Sequence, residues 1–296
     1  MTGHLQLQLA KLPSIWANYP RVVLVRRPPI TEVTEPPEIV ASVPGVMLDA
    51  GAVARYAQMC GFGATATLPV TFPHVLAMPL HLKIFGNGAF PLRPMGLIHL
   101  SNVIESLGEL TAGSRVDITV AARNYQRTDA GLVFDMATEI SSGGRPLWRE
   151  TCVFLSRWPE DMLRQGGRPP RPPKAPKDSA VLAELDVSLR TAWAYARVAA
   201  DYNPIHLSDR AARFLGLRGS IGHGMWSLAR SLAQAPVPVI PHGVRIETQF
   251  LTPVQLPARV AIKEWTAEGQ RRRALCDTRT GRVHMYAWWP ADVATT

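Results

Sequence analysis

The sequence predicts an α+β protein built from two similar repeats, each a helix held inside a curled antiparallel sheet. Three observations carry this. A proline-rich break divides the chain, helical stretches precede alternating runs on both sides of it, and matched residues recur at a nearly constant separation.

The break is "RQGGRPPRPPKAPKD", residues 164–178, with two glycines, five prolines and five basic residues. Such a segment continues neither a helix nor a central strand and reads as an extended linker. The expected organisation is therefore an N-terminal extension with a first repeat over 1–163, a linker over 164–178, and a second repeat over 179–296.

Taken in order, the first repeat opens with a short helical pattern, "DAGAVARYAQMCG" (49–61), followed by a second, "HVLAMPLHLKIFG" (74–86). Four alternating runs typical of antiparallel strands come next: "GLIHLSNVIESL", "SRVDITVAARNYQR", "GLVFDMATEISSG" and "RPLWRETCVFLSR". The second repeat follows the same plan. Its helical patterns are "LRTAWAYARVAAD" (189–201) and "HGMWSLARSLAQA" (223–235), and its alternating runs are "GVRIETQFLTP", "ARVAIKEWTAEGQ", "RRRALCDTRTG" and "RVHMYAWW". Tyr56-Ala57 and Tyr195-Ala196 stand 139 positions apart, and "SRVDI" at 114 stands 144 before "ARVAI" at 258. Two such sheets pairing edge to edge would remove exposed strand edges.

Composition narrows the class. The chain has 296 residues, 47% hydrophobic and 19% charged, enough to bury a sizeable core. No stretch approaches the roughly 18–20 apolar residues of a membrane span, and the N-terminus lacks a secretory pattern. Cys60, Cys152 and Cys276 form neither metal spacing nor a disulfide framework and read as core residues in a reducing cytoplasm. The net charge of +9 comes from dispersed basic residues with no nucleic-acid-binding motif beside them. It suits anionic small molecules equally.

The chemistry concentrates in "DYNPIH", residues 201–206. On a continuous helix Asp201 and His206 would diverge. Pro204 fixes its own φ and pushes Asn203 out of the helical region, so the chain bends between them. A bend can turn both side chains onto one water, and Asn203 can hold it by an Asx-type hydrogen bond. Downstream, glycines 222 and 224 open a helix whose first amides point outward. Gly224 would let a substrate oxygen approach its N–H, while His223 reads as a packing or supporting group.

The stretch "AADYNPIHLSDRAARFLGLRGSIGHGM" (199–225) resembles the signature of the MaoC-like, hydratase-2 family of (R)-specific enoyl-CoA hydratases and 3-hydroxyacyl-thioester dehydratases. Asp201, Asn203, Pro204, Ile205, His206, His223 and Gly224 occupy its places. The resemblance implies a double-hotdog fold in which one half keeps the motif. It further implies reversible hydration of a trans-2-enoyl thioester to the (R)-3-hydroxyacyl product. Asp201 and His206 would be the acid/base pair, Gly224 the oxyanion donor, and Asn203, Pro204 and His223 supporting residues.

The implied cofactor set is empty: no metal and no nicotinamide, with coenzyme A present only as part of the substrate. The implied partner is an acyl-CoA or acyl-carrier-protein thioester, with no nucleic acid, and the chain would be a monomer or a homodimer in the cytoplasm. Arg245, Arg259 and Arg271–Arg273 are candidates for the coenzyme A phosphates. Ser227 and Ser231 are candidates for a hydroxyl beside the water.

In the first repeat, the positions 139 before Asp201 and His206 are Phe62 and Thr67, and His74, His81 and His99 lack an acidic partner at the matching spacing. That repeat is expected to be catalytically empty, with a hydrophobic trough around residues 75–86 for an acyl chain. Two other readings stand beside this one: a thioesterase on the same fold, using Asp201 to activate water at the carbonyl, and a non-catalytic acyl-CoA-binding or partner-binding scaffold.

Overall fold

The computed structural model describes residues 3–63, 68–159, 174–234 and 243–292. The N-terminal extension supplies strand β1 (His4–Gln8) and helix α1 (Ile15–Leu24). The first repeat follows as β2 (Glu38–Met47), α2 (Ala50–Cys60), α3 (Phe72–Phe85), β3 (Ile98–Ser106), β4 (Arg115–Thr128), β5 (Gly131–Ser142) and β6 (Arg145–Arg157). The second runs β7 (Ala180–Val187), α4 (Leu189–Ala199), two short helices α5 (Pro204–Leu207) and α6 (Asp209–Phe214), then α7 (Gly224–Leu232). It closes with β8 (Val244–Phe250), β9 (Ala258–Ala267), β10 (Gln270–Asp277) and β11 (Val283–Pro290).

Among the described residues, eleven strands join one sheet in the order β1-β2-β4-β5-β6-β3-β8-β11-β10-β9-β7. Apart from β1, the order reads the same from either end once β2 is equated with β7 and β3 with β8. The repeats meet at β3 and β8, antiparallel, with Ile104 opposite Ile246 and Ser101 opposite Gln249. The sequence reading of two edge-paired repeats is met. The structure adds one strand per repeat, β2 and β7, each preceding its helices where the alternating runs of the sequence all follow them. It also adds β1, which pairs parallel with β2.

The physical basis of each layer is visible in burial. Along β4, Val116, Ile118 and Val120 face inward and are almost fully buried, as period-two alternation requires. Helix α3 is apolar nearly all round, with buried residues on every face from Phe72 to Ile84, which marks a helix enclosed by its sheet. Helix α7 is its counterpart, burying Met225 through Ala229.

Helices α2 and α4 meet across the repeat boundary. Their equivalent tyrosines, Tyr56 and Tyr195, are both buried and lie with ring centroids 6.3 Å apart. The recurring pair found in the sequence is thus a contact between repeats. Asp49 caps α2 at its N-terminus by accepting the Ala52 N–H, and Ser188 and Thr191 form a reciprocal capping box on α4.

The extension is tied down by Arg27, whose guanidinium donates to the carbonyls of Leu92 and Phe85 at 3.0 and 2.7 Å. Most of the expected linker, residues 164–173, lies outside the described residues; Lys174–Asp178 lead into β7. Among the described residues no helix is long and apolar enough to cross a membrane.

Candidate active site

Helix α4 stops at Ala200, which takes left-handed backbone geometry at φ 57°. The chain then runs through Asp201, Tyr202 and Asn203 before Pro204 starts α5. Two Asx-type hydrogen bonds set the bend: Asp201 Oδ1 accepts the Asn203 N–H at 3.2 Å, and Asn203 Oδ1 accepts the Ile205 N–H at 3.4 Å. The turn brings His206 back toward Asp201, as its proline-broken spacing predicts.

The resulting cluster has three members. Asp201 Oδ2 stands 3.9 Å from Nε2 of His206 and 3.9 Å from Nε2 of His223. His206 Nδ1 lies 2.8 Å from the Ile221 carbonyl. A carbonyl only accepts, so Nδ1 carries a proton and, in the neutral ring, Nε2 presents its lone pair to Asp201. His223 Nε2 donates to the Asp201 carbonyl at 3.1 Å. His223 thus touches both residues, bonding the Asp201 main chain and stacking on the His206 ring.

The electrostatics follow from burial and proximity. Burial opposes the charge on Asp201, but His223, His206, the Asn203 N–H and His74 outweigh it and hold its pKa below the ordinary carboxylate value. Burial lowers His206 below its ordinary value, with Asp201 and the Ile221 carbonyl offsetting only part. Burial and the neighbouring His206 push His223 down to about 3. At neutral pH the site holds one carboxylate and two neutral imidazoles.

Gly224 opens α7 beside this cluster. Among the described residues its N–H meets no hydrogen-bond acceptor. A Cβ at this position would lie 3.1 Å from two ring carbons of Phe250, so the missing side chain also permits close packing. Ser227 donates to the His223 carbonyl and lines the cavity, whereas Ser231 is fully buried on the same helix, its hydroxyl without a partner among the described residues. Of the two serine candidates, only Ser227 reaches the site.

A cavity of about 500 Å³ opens in front of Asp201, His206, His223 and Gly224. Its opposite wall comes from the first repeat, through Met78, Leu82, Phe85, Leu97 and Phe154. His74, His81 and His99 line it as well. The sequence offers these three histidines no acidic partner at the matching spacing. His74 finds one far along the chain: Glu150 on β6, 2.8 Å away, which also accepts from Asn102 at 2.6 Å.

Burial works against the charge on both His74 and Glu150, but their mutual attraction prevails. His74 is raised, and Glu150 is lowered to about 2. His81 bonds Thr138, and His99 lies against Phe154 and Phe250. Phe62 packs against the core, and Thr67 lies outside the described residues.

Among the described residues two clusters bring three potential metal-ligand atoms within 4.8 Å of one another: Asp201, His206 and His223, and His74, Glu150 and Cys152. In the second, His74 Nδ1 and both Glu150 oxygens are already engaged in hydrogen bonds.

The arginine candidates fare differently. Arg245 pairs with Glu105 and Glu247, Arg259 with Glu184, Arg271 with Glu264, and Arg272 with Glu268. Arg273 is fully buried against Glu264 and caps the end of α7. All are spent on ion pairs, and none lines the cavity.

One contact had no signal in the sequence. The Tyr19 hydroxyl on α1 donates to the Ala200 carbonyl at 2.9 Å and accepts the Tyr202 N–H at 2.6 Å. Its partners are more than 180 positions away, and no local pattern marks them.

Comparison with known proteins gives a consistent picture. The family model described as a MaoC-like domain matches residues 169–286. The chain is 30% identical over 276 residues to 3-hydroxyacyl-thioester dehydratase X of Mycobacterium tuberculosis, covering 93% of this chain and 97% of that one. The crystal structure of HtdX of Mycobacterium tuberculosis superposes with a TM-score of 0.72 at 28% identity, over 84% of this chain and 98% of that one. A conserved hypothetical protein of the same organism, described as having a double hotdog fold, superposes with a TM-score of 0.55 over 89% of this chain and 97% of that one. At 15% identity it speaks to the fold alone.

Proposed function

Because the chain belongs to the MaoC-like dehydratase family, as its 30% identity to a dehydratase over nearly its whole length shows, we propose that it reversibly hydrates a trans-2-enoyl thioester to the (R)-3-hydroxyacyl thioester. The observation that carries this reading is the 3.9 Å gap between Asp201 Oδ2 and His206 Nε2, at the wall of the cavity shared by both repeats. That gap is too long for a direct hydrogen bond and short enough for one water to touch both atoms.

Both atoms facing this water are acceptors at neutral pH. The water's proton therefore goes to one of them as its oxygen bonds C3, and the π electrons move toward C2 and the thioester oxygen. The same proton then bonds C2, so water's hydrogen and hydroxyl are both delivered from one side and the pair ends as it began. The unengaged Gly224 N–H is the donor for the charge building on the thioester oxygen. The carboxylate and the lone pair act as one general acid/base unit. In this reading, Asn203 and Pro204 hold the bend and His223 holds the Asp201 main chain. The reaction calls for no metal or nicotinamide, and the carrier is coenzyme A or an acyl-carrier protein.

In this reading the acyl chain lies against Met78, Leu82 and Phe85 of α3, which line the cavity. The hydrophobic trough expected at 75–86 would be this wall. The division into an empty repeat (1–163), a linker (164–178) and a catalytic repeat (179–296) belongs to the same proposal.

The test is loss of the enoyl-thioester absorbance when purified protein meets crotonyl-CoA and then trans-2-decenoyl-CoA. Asp201→Asn and His206→Ala are each expected to lower kcat by about 10²–10⁴. Release of free thiol instead would assign a thioesterase, and binding without turnover would assign a scaffold.

A further inference from the structure

We propose that Tyr19 is a positioning residue for Asp201 and that the N-terminal extension, which belongs to neither repeat, is a working part of the site. The proposal rests on the hydratase reading for its activity readout and on geometry for the rest.

Tyr19 grips the chain on both sides of Asp201. Its hydroxyl donates to the carbonyl of Ala200 and accepts the N–H of Tyr202. Among the described residues neither group has another backbone partner. The Asp201 carbonyl between them accepts from His223, so three successive residues have their main chain fixed by side chains from distant elements. The hold also offsets a cost in stability, because Ala200 sits at φ 57°, in the left-handed region that a residue with a Cβ adopts at a cost. Without the two Tyr19 hydrogen bonds the segment is free to move and the protein loses melting temperature, and Asp201 moves with the segment whether or not residue 200 is strained.

The grip is itself built. Trp16 and Tyr19 flank the Tyr202 ring at centroid distances of 4.7 and 6.0 Å. Arg27 anchors the chain just beyond the helix to the first repeat. Burial, and then the charge of Asp201, keep the Tyr19 hydroxyl protonated, as a donor must be. Tyr19 also forms part of the cavity wall, so the extension closes the site as well as bracing it.

The experiment compares the wild type with Tyr19→Phe, Val23→Ser on the exposed side of α1, and the double variant Tyr19→Phe/Ala200→Gly. Tyr19→Phe is expected to lower kcat about 10–100-fold, the scale of a 1 Å misplacement, with KM changed less than about threefold. It is also expected to speed exchange of the Tyr202 amide proton at least tenfold. Val23→Ser should match the wild type in all three readouts.

Glycine at 200 removes the left-handed strain, so the double variant should regain melting temperature without regaining kcat. A kcat for Tyr19→Phe within twofold of wild type, or a kcat that returns together with the melting temperature, would overturn the proposal. Should Tyr19→Phe fail to fold, the double variant alone decides on the same kcat criterion. A wild type inactive on every enoyl thioester would remove the hydratase reading. Unchanged Tyr202 exchange in Tyr19→Phe would remove the grip itself, whatever the activity.

Discussion

The imidazoles of His206 and His223 lie one on the other, with ring centroids 3.8 Å apart and planes inclined by 26°. Burial holds both rings below the ordinary histidine value, and for His223 the neighbouring His206 adds to it; the two histidines in turn help hold Asp201 below the ordinary carboxylate value.

The pH dependence of stability follows with a definite sign. Groups depressed in the fold are protonated first in the unfolded chain, so their contribution is complete above about pH 6.5. It is then lost as pH falls toward the folded values, about 3 for His223 and His81 and about 4 for His99. His74, which is raised, acts oppositely and loses its contribution as pH rises through its folded value. With more groups depressed than raised, the melting temperature should fall steadily from pH 7 to pH 4. A thermal scan at each pH checks this, and a rising melting temperature would mean charged imidazoles in the fold.

Gly224→Ala keeps the N–H but drives a methyl group onto the Phe250 ring, which lines the cavity. The ring must give way, and the cavity wall changes with it. We expect kcat/KM to fall about tenfold and Phe250→Leu in the same chain to restore most of it. An undiminished Gly224→Ala enzyme would show that the contact has slack.

Glu150→Gln removes the counter-charge of buried His74. Breaking one side of a buried pair typically costs about 3–5 kcal/mol, to be read from urea unfolding at neutral pH. Because His74 helps depress Asp201, the acid limb of the activity profile should also move to higher pH. A loss under about 1 kcal/mol, the scale of exposed pairs, would contradict the burial argument.

Met78→Phe narrows the wall supplied by α3. Turnover of trans-2-decenoyl-CoA should fall at least tenfold while crotonyl-CoA changes less than about threefold, since each buried methylene is worth about 0.8 kcal/mol. Equal losses on both substrates would place the acyl tail elsewhere.

What the sequence disclosed was what local chemistry encodes. Pro204 forces the bend wherever the rest of the chain goes, Asn203 closes an Asx bond two residues on, and alternation along β4 announces its inward face. The Asp201–His206–Gly224 grouping was legible because its parts lie within 24 positions and one supersecondary unit. Strands β2 and β7 escaped because the expected plan placed every strand after the helices. The His74–Glu150 pair and the Tyr19 grip escaped for a different reason. Each joins residues 76 or more positions apart, and nothing in a buried histidine or a helical tyrosine names its partner.

The seam between β3 and β8 joins two repeats of one polypeptide, and this alters what mutation can do. In an assembly of identical copies each substitution is imposed twice, so a change that suits one end of a shared hollow is also felt at the other. Here the two ends are encoded separately. Asp201 and His206 face the hollow from one side, and His74, Met78 and Leu82 from the other, a division of labour that no two-fold pair of one repeat can hold. On the proposed placement of the acyl chain, selection for a different chain length can act on α3 alone and leave Asp201 and His206 untouched.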